Sequence, residues 1–170
     1  MSKIQTKRLH IVGKSDHGKT TLVIELVWRL TQKGYNVGTI KHSSHLHELD
    51  VPGKDSFRHR TAGARPAAII TPDLIGMFEK AIPDQDPYER LAPLFEDCDL
   101  ILVEGHADME GLKVEVWREG RATPPLALDR EDIVAVITDD NVECPCPIWP
   151  RSDLEMLIDN VIELMKLEKK

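Results

Sequence analysis

The spacing of hydrophobic and polar residues changes repeatedly along this chain, and each change predicts a new secondary-structure element. The predicted strands are 9–12, 35–41, 67–71, 74–78, 100–103, 113–117 and 133–138, and the predicted helices are 20–33, 56–62, one beginning after Asp86 and one beginning after Ser152. The run 100–103 is apolar throughout and predicts a strand buried on both faces, whereas 113–117 alternates and predicts a half-buried strand. Alternating strands and helices predict an α/β fold with a mostly parallel sheet and helices on both faces.

Helix ends are predicted from capping residues. Gly34 lies where a glycine C-cap ends the first helix, and Ser56 is a candidate N-cap of the short second helix. Asp86 precedes a proline, as at many helix starts, and Ser152 with Glu155 matches the capping-box pattern before the closing helix.

The loop between the first strand and the first helix fits the phosphate-loop pattern G-x-x-x-x-G-K-[ST]. It consists of Gly13, Lys14, Ser15, Asp16, His17, Gly18, Lys19 and Thr20. The two glycines let successive backbone N–H groups point into one anion-sized hollow. Lys19 supplies a positive charge for the β- and γ-phosphates, and the Thr20 hydroxyl suits Mg²⁺. A strand, this loop and a helix in that order predict a P-loop NTPase-like nucleotide site.

A buried strand that ends in a carboxylate predicts the second part of that site. Residues 99–105 read Asp-Leu-Ile-Leu-Val-Glu-Gly, so Glu104 lies at the carboxyl end, where ligands bind in parallel sheets. Asp99 starts the same strand and lies at the opposite edge. Glu104 is therefore the candidate metal-site carboxylate, and the alternative is an exposed carboxylate at a strand end.

The segment 41–65 is rich in basic residues, histidines and carboxylates. We interpret it as a switch-like loop in which Arg58 reaches a phosphate and Asp55 or Asp50 contacts Mg²⁺ or the attacking water. Three histidines between 42 and 47 leave a transition-metal site as an alternative, and a solvated basic face is the plainest alternative.

Length and charge limit the possible functions. A chain of 170 residues suits a single domain over 1–170, and 29 acidic against 22 basic residues give a net charge of −7. Such a surface does not favour nucleic acid or anionic membranes as partners, and no apolar run has membrane-spanning length. Cys144 and Cys146 are separated by one residue, which disfavours a disulfide between them. We therefore expect a reduced, cytoplasmic protein. A metal site that uses the pair is the minority alternative.

Four stretches together resemble the MobB family, the nucleotide-binding partner proteins of molybdopterin-guanine dinucleotide biosynthesis. They are GKSDHGKTT at 13–21, GTIKH at 38–42, DVPGKDSFRHRTAGA at 50–64 and DLILVEG at 99–105. The third stretch is the most specific, because few phosphate-loop proteins carry these residues in this order. The resemblance covers most of the chain.

The resemblance implies a homodimeric protein that binds GTP with Mg²⁺ and hydrolyses GTP weakly. Its partner would be the molybdopterin guanylyltransferase, with certain molybdenum enzymes as further partners. By motif match, Gly13, Gly18, Lys19, Thr20 and Thr21 would hold the phosphates, Glu104 would serve the metal, and 52–60 would form the family's distinctive loop. With the residues considered in their own right, the candidate nucleotide-binding residues are 13–21 with Arg58, and the candidate metal ligands are Thr20 and Glu104. The candidate catalytic residues are Lys19, Glu104 and Asp55.

The chain also departs from the family pattern. Asp16 and His17 replace small residues in the phosphate loop, and residues 106–108 replace an aromatic residue and a lysine. No Asn-Lys-x-Asp guanine motif is present, so guanine preference follows only from the resemblance. Asp139 and Asp140 are candidate base-reading carboxylates.

Two other functions stay open at this stage. A small-molecule kinase would use Arg58, Arg60 and Arg65 to hold an anionic acceptor, but its lid needs arginines and the stretch 72–98 contains only Arg90. A nucleotide-switched metal-delivery protein would use the histidines at 42–47 and the cysteine pair.

Overall fold

The structure is a computed structural model that describes residues 7–82, 85–121 and 123–168. The chain divides into two compact units, one made of Met1–Ser43 with Ala92–Lys170 and the other of Ser44–Leu91. A single nucleotide-binding domain over 1–170 stays a prediction.

The first unit contains a six-stranded, fully parallel sheet. Its strands are β1 (Arg8–Val12), β2 (Val37–Lys41), β5 (Leu100–Glu104), β6 (Leu112–Val116), β7 (Ile133–Ile137) and β8 (Ile148–Trp149). The strand order is β2-β5-β1-β6-β7-β8, so β5, β1 and β6 lie in the middle. This architecture confirms the predicted α/β, P-loop NTPase-like fold. The two-residue strand β8 is too short to give a sequence signal and was missed.

Two helices of the first unit, α1 (Lys19–Gln32) and α4 (Leu154–Leu164), share one hydrophobic core with the sheet. Leu9 and Ile11 of β1 pack into this core, whereas Val12 belongs to a second cluster with the short 3-10 helix Leu126–Leu128. Because successive strand residues point to opposite faces, the two clusters cover the two sides of the sheet. The loops that follow the strands begin at the carboxyl edge of this sheet.

The second unit contains two short helices and a two-stranded hairpin. α2 (Asp55–Thr61) precedes β3 (Ala67–Ile70) and β4 (Ile75–Phe78), and α3 (Pro87–Leu91) follows. The two strands were predicted, and they pair with each other in antiparallel register. They therefore form their own sheet.

Helix caps confirm some of the predictions and correct others. Gly34 has φ +90°, and its N–H donates a hydrogen bond to the carbonyl oxygen of Thr31, which confirms the predicted end of α1. The Asp86 carboxylate accepts a hydrogen bond from the Tyr88 N–H at 2.8 Å, which confirms the start of α3. The Ser56 cap is wrong, because α2 begins at Asp55 and the Ser56 hydroxyl lies inside its first turn.

The capping box before α4 is also wrong, by one residue. Asp153 is the N-cap, and its carboxylate accepts a hydrogen bond from the N–H of the third helical residue at 2.9 Å. The N–H and hydroxyl of Ser152 instead donate to Asp139, at 2.8 and 2.9 Å.

β6 is buried on both faces, so its predicted half-burial is wrong. It lies between β1 and β7, and the side chains of Lys113 and Glu115 are each about 1% exposed. The Lys113 ammonium lies 2.7 Å from Asp132, and the Glu115 carboxylate accepts the N–H groups of Leu126 and Ala127. Burial raises the pKa of Glu115 although these amides oppose the shift. Partners distant in sequence therefore make the polar residues of β6 compatible with a central position.

Within the described residues, no helix is both long enough and apolar enough to cross a lipid bilayer.

The buried histidine of β1 predicts a loss of stability in mild acid. His10 is fully buried, and burial lowers its pKa from 6.5 to about 4, with Lys113 and Arg8 adding to the shift and a hydrogen bond to Gly105 opposing it. Between these pH values the unfolded chain binds a proton that the folded chain does not. The free energy of unfolding should therefore fall as the pH decreases from 6.5 to 4, by up to about 3 kcal/mol.

Urea unfolding of the wild-type protein at pH 7 and pH 4.5 measures this loss. In His10→Asn the part of the loss due to His10 should disappear, while the exposed-residue control His59→Asn should behave like the wild type. Parallel pH profiles for the wild type and His10→Asn would show that His10 is not the titrating group.

Candidate functional site

The phosphate loop has the backbone conformation that its two glycines allow. Gly13 has φ +133° and Gly18 has φ +96°, both in a region that L-residues rarely adopt. A Cβ atom on Gly13 would also collide with the carbonyl oxygen of Val116 in β6. Asp16, with φ +63°, is the remaining left-handed residue of the loop. The loop thus turns sharply between the end of β1 and the first residue of α1.

Lys19 lies across this loop. Its ammonium donates a hydrogen bond of 2.7 Å to the carbonyl oxygen of Lys14, five residues earlier. Burial lowers the pKa of Lys19, Lys41 adds to the shift, and the carboxylates of Glu104 and Asp16 oppose it. A partly desolvated cation is therefore held directly over the turn of the loop.

Thr20 and Glu104 meet at the carboxyl edge of the sheet. The Thr20 hydroxyl donates to Glu104 Oε1 at 2.6 Å, because β5 pairs with β1 and places Glu104 opposite Ile11. Lys41, the last residue of β2, pairs in register with Glu104, and its ammonium lies 3.2 Å from the same oxygen. The sequence indicated Lys41 only as part of the basic segment 41–65, and the strand order brings it to Glu104.

The predicted phosphate-binding residue His17 points its side chain into the protein. The side chain is about 1% exposed, and its Nδ1 accepts a hydrogen bond of 2.9 Å from the Arg118 N–H. Its Nε2 lies 3.3 Å from the Thr123 hydroxyl. The imidazole therefore ties the phosphate loop to the segment after β6, and only the main chain of His17 is left to face a ligand.

The other predicted loop residues have exposed side chains. They are Lys14, Ser15, Asp16, Thr20 and Thr21. Exposure is compatible with ligand contact, and their assignment stays a prediction.

Asp55 and Arg58 belong to the second unit. They form an exposed ion pair across one turn of α2, with Arg58 Nη1 3.6 Å from Asp55 Oδ1. Their predicted roles at the nucleotide stay predictions. Arg90, the one arginine of the predicted kinase lid, pairs with Glu79 in this unit. Its engagement with a carboxylate disfavours the kinase alternative.

The histidines at 42–47 and the cysteine pair, which are the candidate ligands of the metal-delivery alternative, contact other side chains. His42 stacks on His106 with ring centroids 3.8 Å apart, and His45 contacts His47 edge to face. The sulfur atoms of Cys144 and Cys146 are 3.8 Å apart without a disulfide, and burial raises the pKa of Cys146 to about 11. Over 7–82, 85–121 and 123–168, no cluster of three or more His, Cys, Asp or Glu side chains has the arrangement of a metal site.

The candidate base-reading carboxylates follow β7 and already accept protein hydrogen bonds. Asp139 accepts from Ser152, which lowers the pKa of Asp139, and Asp140 accepts from the Glu119 N–H at 2.9 Å. Their role towards a base stays a prediction.

Comparison with known proteins decides the family. The sequence model described as "MobB: Molybdopterin guanine dinucleotide synthesis protein B" matches residues 8–139, which include β1, the phosphate loop and Glu104. The chain belongs to the MobB family.

Two MobB relatives carry the name molybdopterin-guanine dinucleotide biosynthesis adapter protein. The protein from Escherichia coli is 34% identical over 158 residues, which cover 89% of each chain. The protein from Haemophilus influenzae is 33% identical over 141 residues, which cover 82% of this chain and 78% of the relative. Both alignments span most of the two proteins compared.

A solved MobB structure has the same fold. The crystal structure of Bacillus subtilis MobB superposes with a TM-score of 0.71 at 23% identity and covers 96% of this chain and 99% of the solved chain. At that identity the match establishes the shared architecture, and the site residues still have to be argued from this chain's own geometry.

Proposed function

We propose that this MobB-family chain binds GTP with Mg²⁺ and acts as an accessory protein in molybdopterin-guanine dinucleotide biosynthesis, hydrolysing GTP only slowly. The observation that carries the proposal is the 2.6 Å contact between Thr20 and Glu104 beside a phosphate loop that is crossed by Lys19. This arrangement joins the two halves of a nucleotide site that are 84 residues apart in sequence.

The loop provides the groups that bind phosphate. Its backbone N–H groups and the N-terminus of α1, which begins at Lys19, favour negative charge at this position. The Lys19 ammonium would exchange its bond to the Lys14 carbonyl for bonds to phosphate oxygens, which are stronger acceptors. The triphosphate therefore has both a main-chain cradle and a cation.

The residues next to the loop fit a Mg²⁺ ion. Mg²⁺ prefers oxygen ligands, and the Thr20 hydroxyl and the Glu104 carboxylate bring two such oxygens together. When bound, Mg²⁺ neutralises charge on the phosphate oxygens. Lys41 already neutralises part of the Glu104 charge, so this carboxylate is held in place before the nucleotide arrives.

Slow hydrolysis is consistent with the state of Glu104. Its Oε1 atom accepts from Thr20 and pairs with Lys41, so it is not available as a strong general base for water. Fast turnover of phosphate-loop proteins often requires a charged group from a partner. We place that group on the guanylyltransferase or on a second copy of this chain.

A titration of the wild-type protein with GTP and with ATP tests base preference and pathway together. In Mg²⁺, the Kd for GTP should be at least about tenfold below that for ATP, the equivalent of one good hydrogen bond to the base. Adding the protein to molybdopterin, GTP and guanylyltransferase should raise the rate of guanylyl transfer. Equal affinities would contradict guanine preference, and an unchanged rate would contradict the accessory role.

A further inference from the structure

We propose that Arg118, which lies outside the phosphate-loop motif, binds the α- and β-phosphates of the nucleotide. The inference rests on the proposed function and adds a residue to the same site. It depends on three observations: the position of the guanidinium, the anchoring of its backbone and the absence of a carboxylate partner among the described residues.

The guanidinium lies against the second glycine of the loop. A Cβ atom on Gly18 would stand 2.9 Å from Nη2 and 3.3 Å from Cζ of Arg118. Gly18 thus gives the arginine the space to approach the loop main chain. The approach brings a planar group with five N–H donors to the part of the loop whose amides cradle α- and β-phosphates.

The backbone around Arg118 is fixed on both sides. The Arg118 N–H donates to the buried His17 at 2.9 Å, and the next N–H, of Glu119, donates to Asp140 at 2.9 Å. The preceding residue, Trp117, is buried, and its indole N–H donates to a carbonyl oxygen at 2.7 Å. His17 therefore connects the phosphate loop directly to the backbone of the residue that carries the guanidinium.

The Arg118 side chain is exposed, and in the described part of the chain its guanidinium makes neither a hydrogen bond nor an ion pair. Other arginines of the same protein pair with carboxylates: Arg60 with Glu48, Arg130 with Asp132 and Arg151 with Glu25. A guanidinium that pairs with none of the described residues, beside the phosphate loop of a chain of net charge −7, has its donors available for phosphate.

Three variants test the inference: Arg118→Ala, Arg118→Lys and the control Arg29→Ala. Arg29 also carries a partly exposed guanidinium, but it lies about 15 Å further along α1 from Lys19. The affinity for GTP, GDP and inorganic pyrophosphate is measured by their displacement of a bound fluorescent GDP analogue. In Arg118→Ala the affinity for each of the three should fall by a similar factor of about 10 to 100, the range for charge-assisted hydrogen bonds. Arg118→Lys should fall in between, and Arg29→Ala should match the wild type.

Each other outcome has a distinct meaning. Unchanged GDP affinity in Arg118→Ala, while Lys19→Ala weakens binding, overturns the role of Arg118 and leaves the proposed function standing. Weaker GDP binding with unchanged pyrophosphate binding overturns the phosphate assignment in favour of contact with the base. A lowered melting temperature of the ligand-free Arg118→Ala protein assigns the arginine a structural role. Wild-type protein that binds neither GTP nor GDP removes the proposed function itself.

Discussion

Replacing Lys19 by alanine is expected to weaken GTP binding by at least about a hundredfold while leaving the fold intact. The ammonium would form charge-assisted hydrogen bonds to two phosphates, each contributing about 1.5–3 kcal/mol, which corresponds to a factor of about 100 or more together. Its one hydrogen bond within the described residues is to the Lys14 carbonyl, so the stability of the ligand-free protein should change by only about 1 kcal/mol.

Calorimetric titration with GTP and thermal unfolding without nucleotide measure the two parts of this expectation. Lys33→Ala is the matched control, because Lys33 follows the last residue of α1 and its ammonium pairs with Glu155 at the surface. The control should bind GTP like the wild type. GTP affinity that survives in Lys19→Ala would mean that the side chain does not contact phosphate.

Replacing Glu104 by glutamine should leave metal-free nucleotide binding intact and strongly reduce Mg²⁺-dependent hydrolysis. The amide has the size of the carboxylate and still accepts a hydrogen bond from Thr20, so the edge of the sheet stays ordered. It lacks the negative charge that pairs with Lys41 and that suits a hard cation. We expect turnover to fall by about tenfold or more, and the gain in affinity from Mg²⁺ to shrink.

Two measurements separate the metal from the chemistry: GTP affinity in Mg²⁺ and in EDTA, and single-turnover hydrolysis. Glu96→Gln serves as the control, since it makes the same change at an exposed residue that precedes β5 at the opposite edge of the sheet. Full turnover together with an undiminished effect of Mg²⁺ in Glu104→Gln would remove Glu104 from the metal site.

Sequence patterns predicted the parts of the fold that depend on local signals. Apolar runs located β1, β5 and β7, and glycine at position 34 marked the end of α1. β6 was misjudged because Lys113 and Glu115 alternate with apolar residues, as in a half-exposed strand. Their burial depends on Asp132 and on two backbone amides beyond residue 125, partners that the local pattern does not reveal.

The sequence also could not predict which sheet the strands 67–71 and 74–78 join. Their apolar residues predicted strands correctly, but the same pattern suits a strand of the main sheet and a separate hairpin. Pairing partners are set by tertiary contacts.

The candidate site also contains residues that local signals predicted and residues that only tertiary contacts bring together. The phosphate-loop motif and the strand that ends in Glu104 predicted that Thr20 and Glu104 both lie at the carboxyl edge of the sheet, and there the two residues are in contact. Lys41 was indicated only as a member of the basic segment 41–65, and Arg118 gave no signal. Lys41 reaches Glu104 only because β2 pairs with β5, and Arg118 reaches Gly18 only because β6 lies beside β1.

The most direct measurement of nucleotide binding is a calorimetric titration of the wild-type protein with GTP in Mg²⁺, repeated in saturating pyrophosphate. The phosphate loop predicts one GTP bound per chain and its displacement by pyrophosphate, since both anions would occupy the turn between Gly13 and Thr20. No binding of GTP, or binding that pyrophosphate leaves unchanged, would contradict a nucleotide site at this loop.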